Sequence, residues 1–174
     1  MDPQILFSTG ESVLGIVLVA RSESGVCAIL LGEDPRELER DLRARFPQDD
    51  VRDAYVGLEP LVSEVARFLA APHAKLELPL DLRGSDLEQR VWNALREVPP
   101  GTTATYSDIA LRLGVPATAK EVGEACAANP LAVAVPCHRV LRKDGSLGGY
   151  RWGLKRKRAL LQRECALSHC ERAA

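Results

Sequence analysis

The chain has 174 residues, 46 % apolar and 27 % charged, which fits one globular domain or two small ones and excludes a low-complexity tract. Its longest unbroken apolar run, Val13–Ala20, is too short to cross a bilayer, and no basic patch feeds a long apolar stretch as in a secretory signal, so a cytoplasmic protein without a membrane partner is expected. The net charge of −1 hides a division: residues 1–80 carry 8 basic against 14 acidic side chains, residues 81–174 carry 15 against 10, and such a basic half suits a polyanion, although a solvated helix face gives the same count.

Val13–Ala20 and Gly25–Leu31 are β-rich runs joined by Arg21-Ser22-Glu23-Ser24, which predicts a hairpin. Asp34-Pro35-Arg36-Glu37 opens a helix with a cap, a first-turn proline and the glutamate of a capping box. Leu38, Leu42 and Phe46 give that helix one buried stripe, and Pro47 stops it. A second helix over about residues 60–70 repeats the pattern with Leu61, Val65 and Leu69. Nothing in this half groups a nucleophile with a base. Lys75–Leu82 reads as a short strand or extended linker interrupted by Pro79, and the domain boundary is placed there.

Ser85-Asp86-Leu87-Glu88 is another capping box, starting a helix with Leu87, Val91 and Leu95 on one face and ended by Pro99-Pro100-Gly101. A short helix over Ser107–Leu113, the turn Gly114-Val115-Pro116 and a helix over about residues 118–129 form a helix-turn-helix candidate. On the second helix, Val122 and Cys126 are expected to face the core. The other side presents Ala119, Lys120, Gly123 and Ala127, a face without bulk that allows close approach to a groove or to a neighbouring helix.

The five cysteines fall at irregular spacing with no CxxC pair, against both a disulfide framework and a four-cysteine zinc site. Cys27 and Cys126 read as small buried hydrophobes. Cys137 differs: an expected apolar strand, Ala132–Val135, ends at Pro136, and the thiol is followed by His138 and Arg139. A base and a fixed cation beside a cysteine favour the thiolate, which is the reactive form. The proline removes a backbone donor and restricts how the thiol is presented.

Pro136-Cys137-His138-Arg139-Val140, preceded by Asn129-Pro130 and followed by Gly149-Tyr150-Arg151-Trp152-Gly153, resembles the O6-alkylguanine-DNA alkyltransferases, bacterial branch. The likeness runs from about Leu78 to Glu164 and includes Val91-Trp92 and Thr105-Tyr106-Ser107. It implies an α+β fold. Residues 1–78 would form a small α/β scaffold with a ribonuclease-H-like sheet, and residues 79–174 a mainly helical catalytic and DNA-binding domain with a winged-helix-like helix-turn-helix. The implied activity is that of a methylated-DNA-[protein]-cysteine S-methyltransferase, acting once on O6-methylguanine, and on O4-methylthymine, in duplex DNA approached from the minor groove. It needs no cofactor and no metal, and a monomer is expected.

The resemblance assigns Cys137 as acceptor, His138 as its base through a water, Glu164 as orienter of the imidazole, Tyr106 as donor to the departing base, and Asn129 as the tie between helix pair and acceptor segment. Val140, Tyr150, Arg151, Trp152 and Lys157 would bind the extruded base, with Trp152 restricting bulky adducts. Thr105, Ala117, Lys120, Gly123, Ala127 and Arg139 would meet DNA. One position departs from the family: Lys120 stands where most members have an arginine that enters the base stack, and lysine lacks the planar guanidinium for stacking. A binding-only relative, a Cys–His hydrolase and a plain helix-turn-helix regulator are the alternative readings. The first is disfavoured by Cys137 itself, the second because adjacent residues do not readily face each other. Cys165, His169 and Cys170 read as a polar tail in preference to a zinc site.

Overall fold

The β-rich start of the chain forms more strand than the apolar runs predict. Strand β1 (Gln4–Ser12) has a polar sequence, yet alternation buries Ile5 and Phe7. Strand β2 (Gly15–Arg21) begins after a turn in which the Ser12 hydroxyl donates to the Gly15 carbonyl at 2.8 Å, so Val13 and Leu14 belong to the turn instead of the strand. Strand β3 (Val26–Gly32) follows the expected hairpin, closed by Ser22 N–H donating to the Gly25 carbonyl at 2.9 Å. Helix α1 (Pro35–Arg45) is capped by Asp34, whose carboxylate accepts from Arg36 N–H, and it buries Leu38 and Leu42. Glu37, expected to complete the capping box, instead pairs with Arg40 at 3.8 Å.

The computed structural model describes residues 4–54, 56–72 and 75–173, with side chains as far as Cys165. Residue contacts divide the chain into two units. The first holds Met1–Ala70, Leu76–Leu82 and Pro130–Ala132, and the second Ala71–Lys75, Arg83–Asn129 and Val133–Ala174. In the first unit strand β4 (Asp50–Asp53) pairs parallel to β1, completing a sheet in the order β3-β2-β1-β4 whose other pairings are antiparallel. Helix α2 (Glu59–Ala70) buries the expected Val65 and Leu69, while Val62 takes the core position expected for Leu61, which is only half-buried. Gly10 is required beneath it, because a Cβ there would come within 2.6 Å of the Val62 side chain. The stretch around Pro79 is extended as expected and bridges Val26 through Leu80.

In the second unit, helix α3 (Asp86–Arg96) starts at the expected Ser85–Glu88 capping box. It buries Val91, Trp92 and Leu95, and Trp92 Nε1 donates to the Ala125 carbonyl at 2.9 Å. Truncating so large a buried side chain costs about 3–5 kcal/mol, so this contact is a main tie between α3 and the helix carrying Ala125. Strand β5 (Ala104–Thr105) leads directly into helix α4 (Tyr106–Arg112), and a turn through Gly114, at φ 67°, leads to helix α5 (Ala119–Ala128). Both helices have reciprocal capping boxes, Thr105–Asp108 and Thr118–Glu121.

The expected strand Ala132–Val135 is not formed. That segment is a tight turn with Val133 at φ 60°, a conformation that costs a β-branched residue about 1–3 kcal/mol. Cys137–Arg139 then make one 3-10 turn, and strand β6 (Val140–Leu141) pairs parallel to β5 before helix α6 (Leu154–Ala173) closes the unit. The β5–β6 pairing brings Tyr106, the first residue of α4, beside the acceptor segment. Among the described residues no helix is long and apolar enough to cross a membrane.

Candidate active site

Cys137 is held by its neighbours before any substrate arrives. Asn129 ends α5, and its buried side-chain amide donates to the Val135 carbonyl at 3.0 Å and to Cys137 Sγ at 3.3 Å. One amide therefore spans the strained turn and fixes the sulfur. The thiol is 4 % exposed and opens on a cavity of about 430 Å³. Ala119, Gly123, Cys126 and Ala127 of α5 form one wall of that cavity. Tyr106, Arg142, Gly149, Tyr150 and Arg151 form the rest. Two clefts in the first unit, about 330 and 460 Å³, are lined by neither cysteine nor histidine.

Burial pushes the Cys137 thiol up, and the Asn129 hydrogen bond and the Lys157 charge only partly offset it. The resting group is a neutral thiol, which corrects the expectation that flanking cations keep it ionised. A base is therefore required. Burial holds His138 below its ordinary value, against the pull of Glu164, so the imidazole rests neutral. Its Nε2–H donates to Glu164 Oε1 at 2.7 Å, and Nδ1 is buried without a protein partner. Burial raises the Glu164 carboxyl, but the hydrogen bonds from His138 and Arg139 and the guanidinium charge outweigh this and bring it down to about 2.

Tyr106 is half-buried, and burial raises its phenol, with the nearby Cys126 and Cys137 adding to the effect. It keeps its proton at neutral pH and has one to donate. Gly148, at φ 68°, lies against this ring: a Cβ there would sit 2.9 Å from Tyr106 Oη. Tyr150 lines the cavity with its hydroxyl buried and unpartnered, and its ring stands edge-on to His138 at 6.5 Å. Arg151 is exposed at the rim, where Nη1 donates to the Ala127 carbonyl at 3.1 Å.

Four expected positions are corrected. Trp152 is buried behind Tyr150, edge-on at 5.3 Å, and does not line the cavity, so any limit it sets on adduct size acts through Tyr150. Lys157 is fully buried, with Nζ donating to the carbonyls of Val140 at 2.7 Å, Gly149 at 3.0 Å and Leu147. It staples the cavity loop in place of touching a base. Arg139, expected on DNA, is 4 % exposed and turned inward onto Glu164 and the Val98 carbonyl. Cys126, expected in the core, lines the cavity, and Ala125 takes the core position.

Among the remaining DNA-facing candidates, Thr105 caps α4, Ala117 is half-buried ahead of α5, and Gly123 and Ala127 face the cavity. Lys120 is exposed and lies 3.7 Å from Glu124. The sequence analysis places Ala119, Gly123 and Ala127 on the small-residue face that forms the α5 wall, but it gives Arg142 and Gly149 no place in the site. Cys126 lies on the same helical face as Ala119 and Gly123, whereas no local pattern marks Arg142. Val140 offers its carbonyl, already shared with Lys157. Among the described residues no cluster of His, Cys, Asp and Glu fit for a metal is formed; His169 and Cys170 lie outside the described side chains.

The 6-O-methylguanine DNA methyltransferase DNA-binding domain matches residues 86–166. The chain is 46 % identical over 160 residues to the bifunctional transcriptional activator/DNA repair enzyme Ada of Escherichia coli K12, covering 92 % of this chain and 45 % of that protein. It thus spans about half the length of that relative. The inducible methylated-DNA–protein-cysteine methyltransferase of Bacillus subtilis is 41 % identical over 128 residues, 74 % of this chain and 72 % of the relative. The crystal structure of Mycobacterium tuberculosis OGT in complex with DNA superposes with a TM-score of 0.77 at 32 % identity, covering 93 % of this chain and 94 % of that one. With this coverage and this site, the chain belongs to the methylated-DNA–protein-cysteine methyltransferase family. Its mixed α+β fold is that of the family's solved structures.

Proposed function

We propose that the protein is a direct-reversal DNA repair protein that moves the alkyl group of O6-methylguanine, and of O4-methylthymine, irreversibly onto Cys137. The observation that carries this reading is the Cys137 thiol, anchored by Asn129, open to a base-sized cavity and next in the chain to a His138 that is hydrogen-bonded to the Glu164 carboxylate. His138 Nδ1 takes the thiol proton through a bridging water. The sulfur lone pair forms the S–C bond in line as the C–O bond breaks, and that bond's electron pair stays on the base. The Tyr106 phenol supplies a proton as this charge develops, and the proton on His138 returns to Tyr106 through solvent. Such stabilisation of a leaving group contributes about 10²–10³-fold. A thioether has no leaving group that a base can free, so each molecule acts once.

Because the cavity accepts a base only outside the duplex, the lesion is flipped, at a cost of a few kcal/mol in lost stacking. The small-residue wall of α5 favours approach through the minor groove, with Val140, Tyr150 and the backbone near Arg151 holding the base. We read the first sheet as ribonuclease-H-like, the α4–α5 pair as a winged-helix-like helix-turn-helix, residues 1–78 as scaffold and 79–174 as the catalytic domain, and the protein as a cytoplasmic monomer. The test is a burst experiment with duplex DNA labelled on the O6-methyl group. Label moving to protein with an amplitude equal to the protein concentration supports the proposal. Label left on DNA supports a binding-only protein, and continued turnover is incompatible with a suicidal acceptor.

A further inference from the structure

Arg139 is a cation in a wholly buried segment, Pro136–Val140, and its side chain turns to the interior like those of its neighbours. Its Nε donates to both carboxylate oxygens of Glu164 at 3.1 Å, Nη2 donates to Oε1 at 2.7 Å, and Nη1 donates to the Val98 carbonyl at 2.6 Å. The same Oε1 accepts from His138 Nε2. Glu164 is 1 % exposed, so its charge must be balanced locally. Two partners compete to balance it, a guanidinium that is always charged and an imidazole that is charged only when protonated.

We infer that Arg139 is a positioning residue that, by neutralising Glu164, reserves His138 as a neutral base with its proton on Nε2 and its lone pair on Nδ1. The groups around His138 support this. Glu164 and the fully buried Lys157 face it from α6, Tyr150 stands against it from the cavity loop, and Cys137 and Arg139 flank it in the chain. The buried charges are one carboxylate and two fixed cations. A proton taken by His138 from solvent would add a third cation without a counter-charge. A proton taken from Cys137 comes with the thiolate's negative charge beside it. The arrangement therefore couples protonation of His138 to ionisation of Cys137. Burial, Arg139 and Lys157 all act on the imidazole in the same downward direction, against Glu164. Without Arg139, the carboxylate would draw the imidazole into a lasting ion pair, and the base would be spent before substrate binds.

This inference rests on His138 acting as the base of the proposed transfer, and its test is independent of that transfer. The His138 imidazole is titrated by heteronuclear NMR in the DNA-free full chain and in Arg139→Met and Arg139→Lys, with thermal melting to verify folding. In the wild type the imidazole is expected to be neutral and protonated on Nε2 from pH 6 to 8. Its midpoint is expected to rise by about one pH unit or more in Arg139→Met. Arg139→Lys, which keeps the charge but not the fork, should restore most of the wild-type titration. The acid limb of the single-turnover rate is expected to move with these midpoints. An imidazolium at pH 7 in the wild type overturns the inference, as does a folded Arg139→Met with an unchanged midpoint. If Arg139→Met fails to fold, the wild-type tautomer and the Arg139→Lys midpoint decide. Failure of methyl transfer with an intact titration would refute the proposed reaction, and with it the role of His138 as base, while leaving the effect of Arg139 on the imidazole in place.

Discussion

In the proposed transfer Cys137 draws its reactivity from geometry, since burial raises its thiol and leaves it protonated at rest. Burial has the larger effect, and the Asn129 amide and Lys157 charge limit it without reversing it. Burial also keeps Tyr106 protonated, so in the proposed transfer the donor rests in the state it needs, while the acceptor depends on His138 to remove its proton. Tyr106→Phe is expected to slow single-turnover repair by about 10²-fold while leaving DNA affinity near wild type; an unchanged rate would remove Tyr106 from the chemistry. Lys120 is exposed, with Glu124 3.7 Å away in a solvent-screened pair. Lys120→Arg should accelerate repair of the same duplex several-fold, because a planar guanidinium fills a vacated base position where an ammonium cannot. Equal rates would show that flipping is not limited at this position.

At the scale of elements, the site is a junction of α5, the 3-10 turn and α6, and the junction is ionic. Glu164, on α6, is depressed from 4.5 to about 2 by His138 and Arg139. A carboxylate depressed on folding adds stability that is fully present above its unfolded value and lost as the pH falls through the folded one. For Glu164 this contribution is about 3 kcal/mol by the 1.36 kcal/mol per unit conversion, present above about pH 4.5 and lost on the way to pH 2. The unfolding free energy of the wild type should fall more steeply across that window than that of Glu164→Gln; parallel profiles would mean the carboxylate is not paired as described.

Elements with local signals were legible in the sequence: the capping boxes at Ser85 and at the α1 cap Asp34 in part, the hairpin at Ser22, the stripe of α1. β1 and β4 were not, because a polar strand with two buried positions and a four-residue strand have no periodicity to detect. The run Ala132–Val135 reads as a strand because its four residues are all apolar; the hydrogen bonds that hold it as a turn, the Asn129 amide and Cys137 N–H on the Val135 carbonyl among them, have no signature in that run. Cys137, His138, Glu164 and Tyr106 were legible through the family motif. The inward course of Arg139 and Lys157 was not, since a basic residue in a basic segment looks like a phosphate contact until its burial is known.

For the whole molecule, the excess of basic residues in 81–174 includes the exposed Arg142, Lys143, Arg151, Lys155 and Arg158, and the proposed function makes attraction of that surface to DNA largely electrostatic. Affinity for undamaged duplex should fall linearly in log–log form with salt, with a slope of about −0.9 for each phosphate neutralised. A salt-independent affinity would contradict that surface. The central claim is the covalent fate of one sulfur, and peptide mass spectrometry after exposure to duplex containing O6-methylguanine tests it most directly. The peptide containing Cys137 is predicted to gain the mass of one methylene in proportion to lesion repaired, and Cys137→Ser should leave both protein and lesion unchanged. Repair by that variant, or a methyl group found on any other residue, would contradict the account.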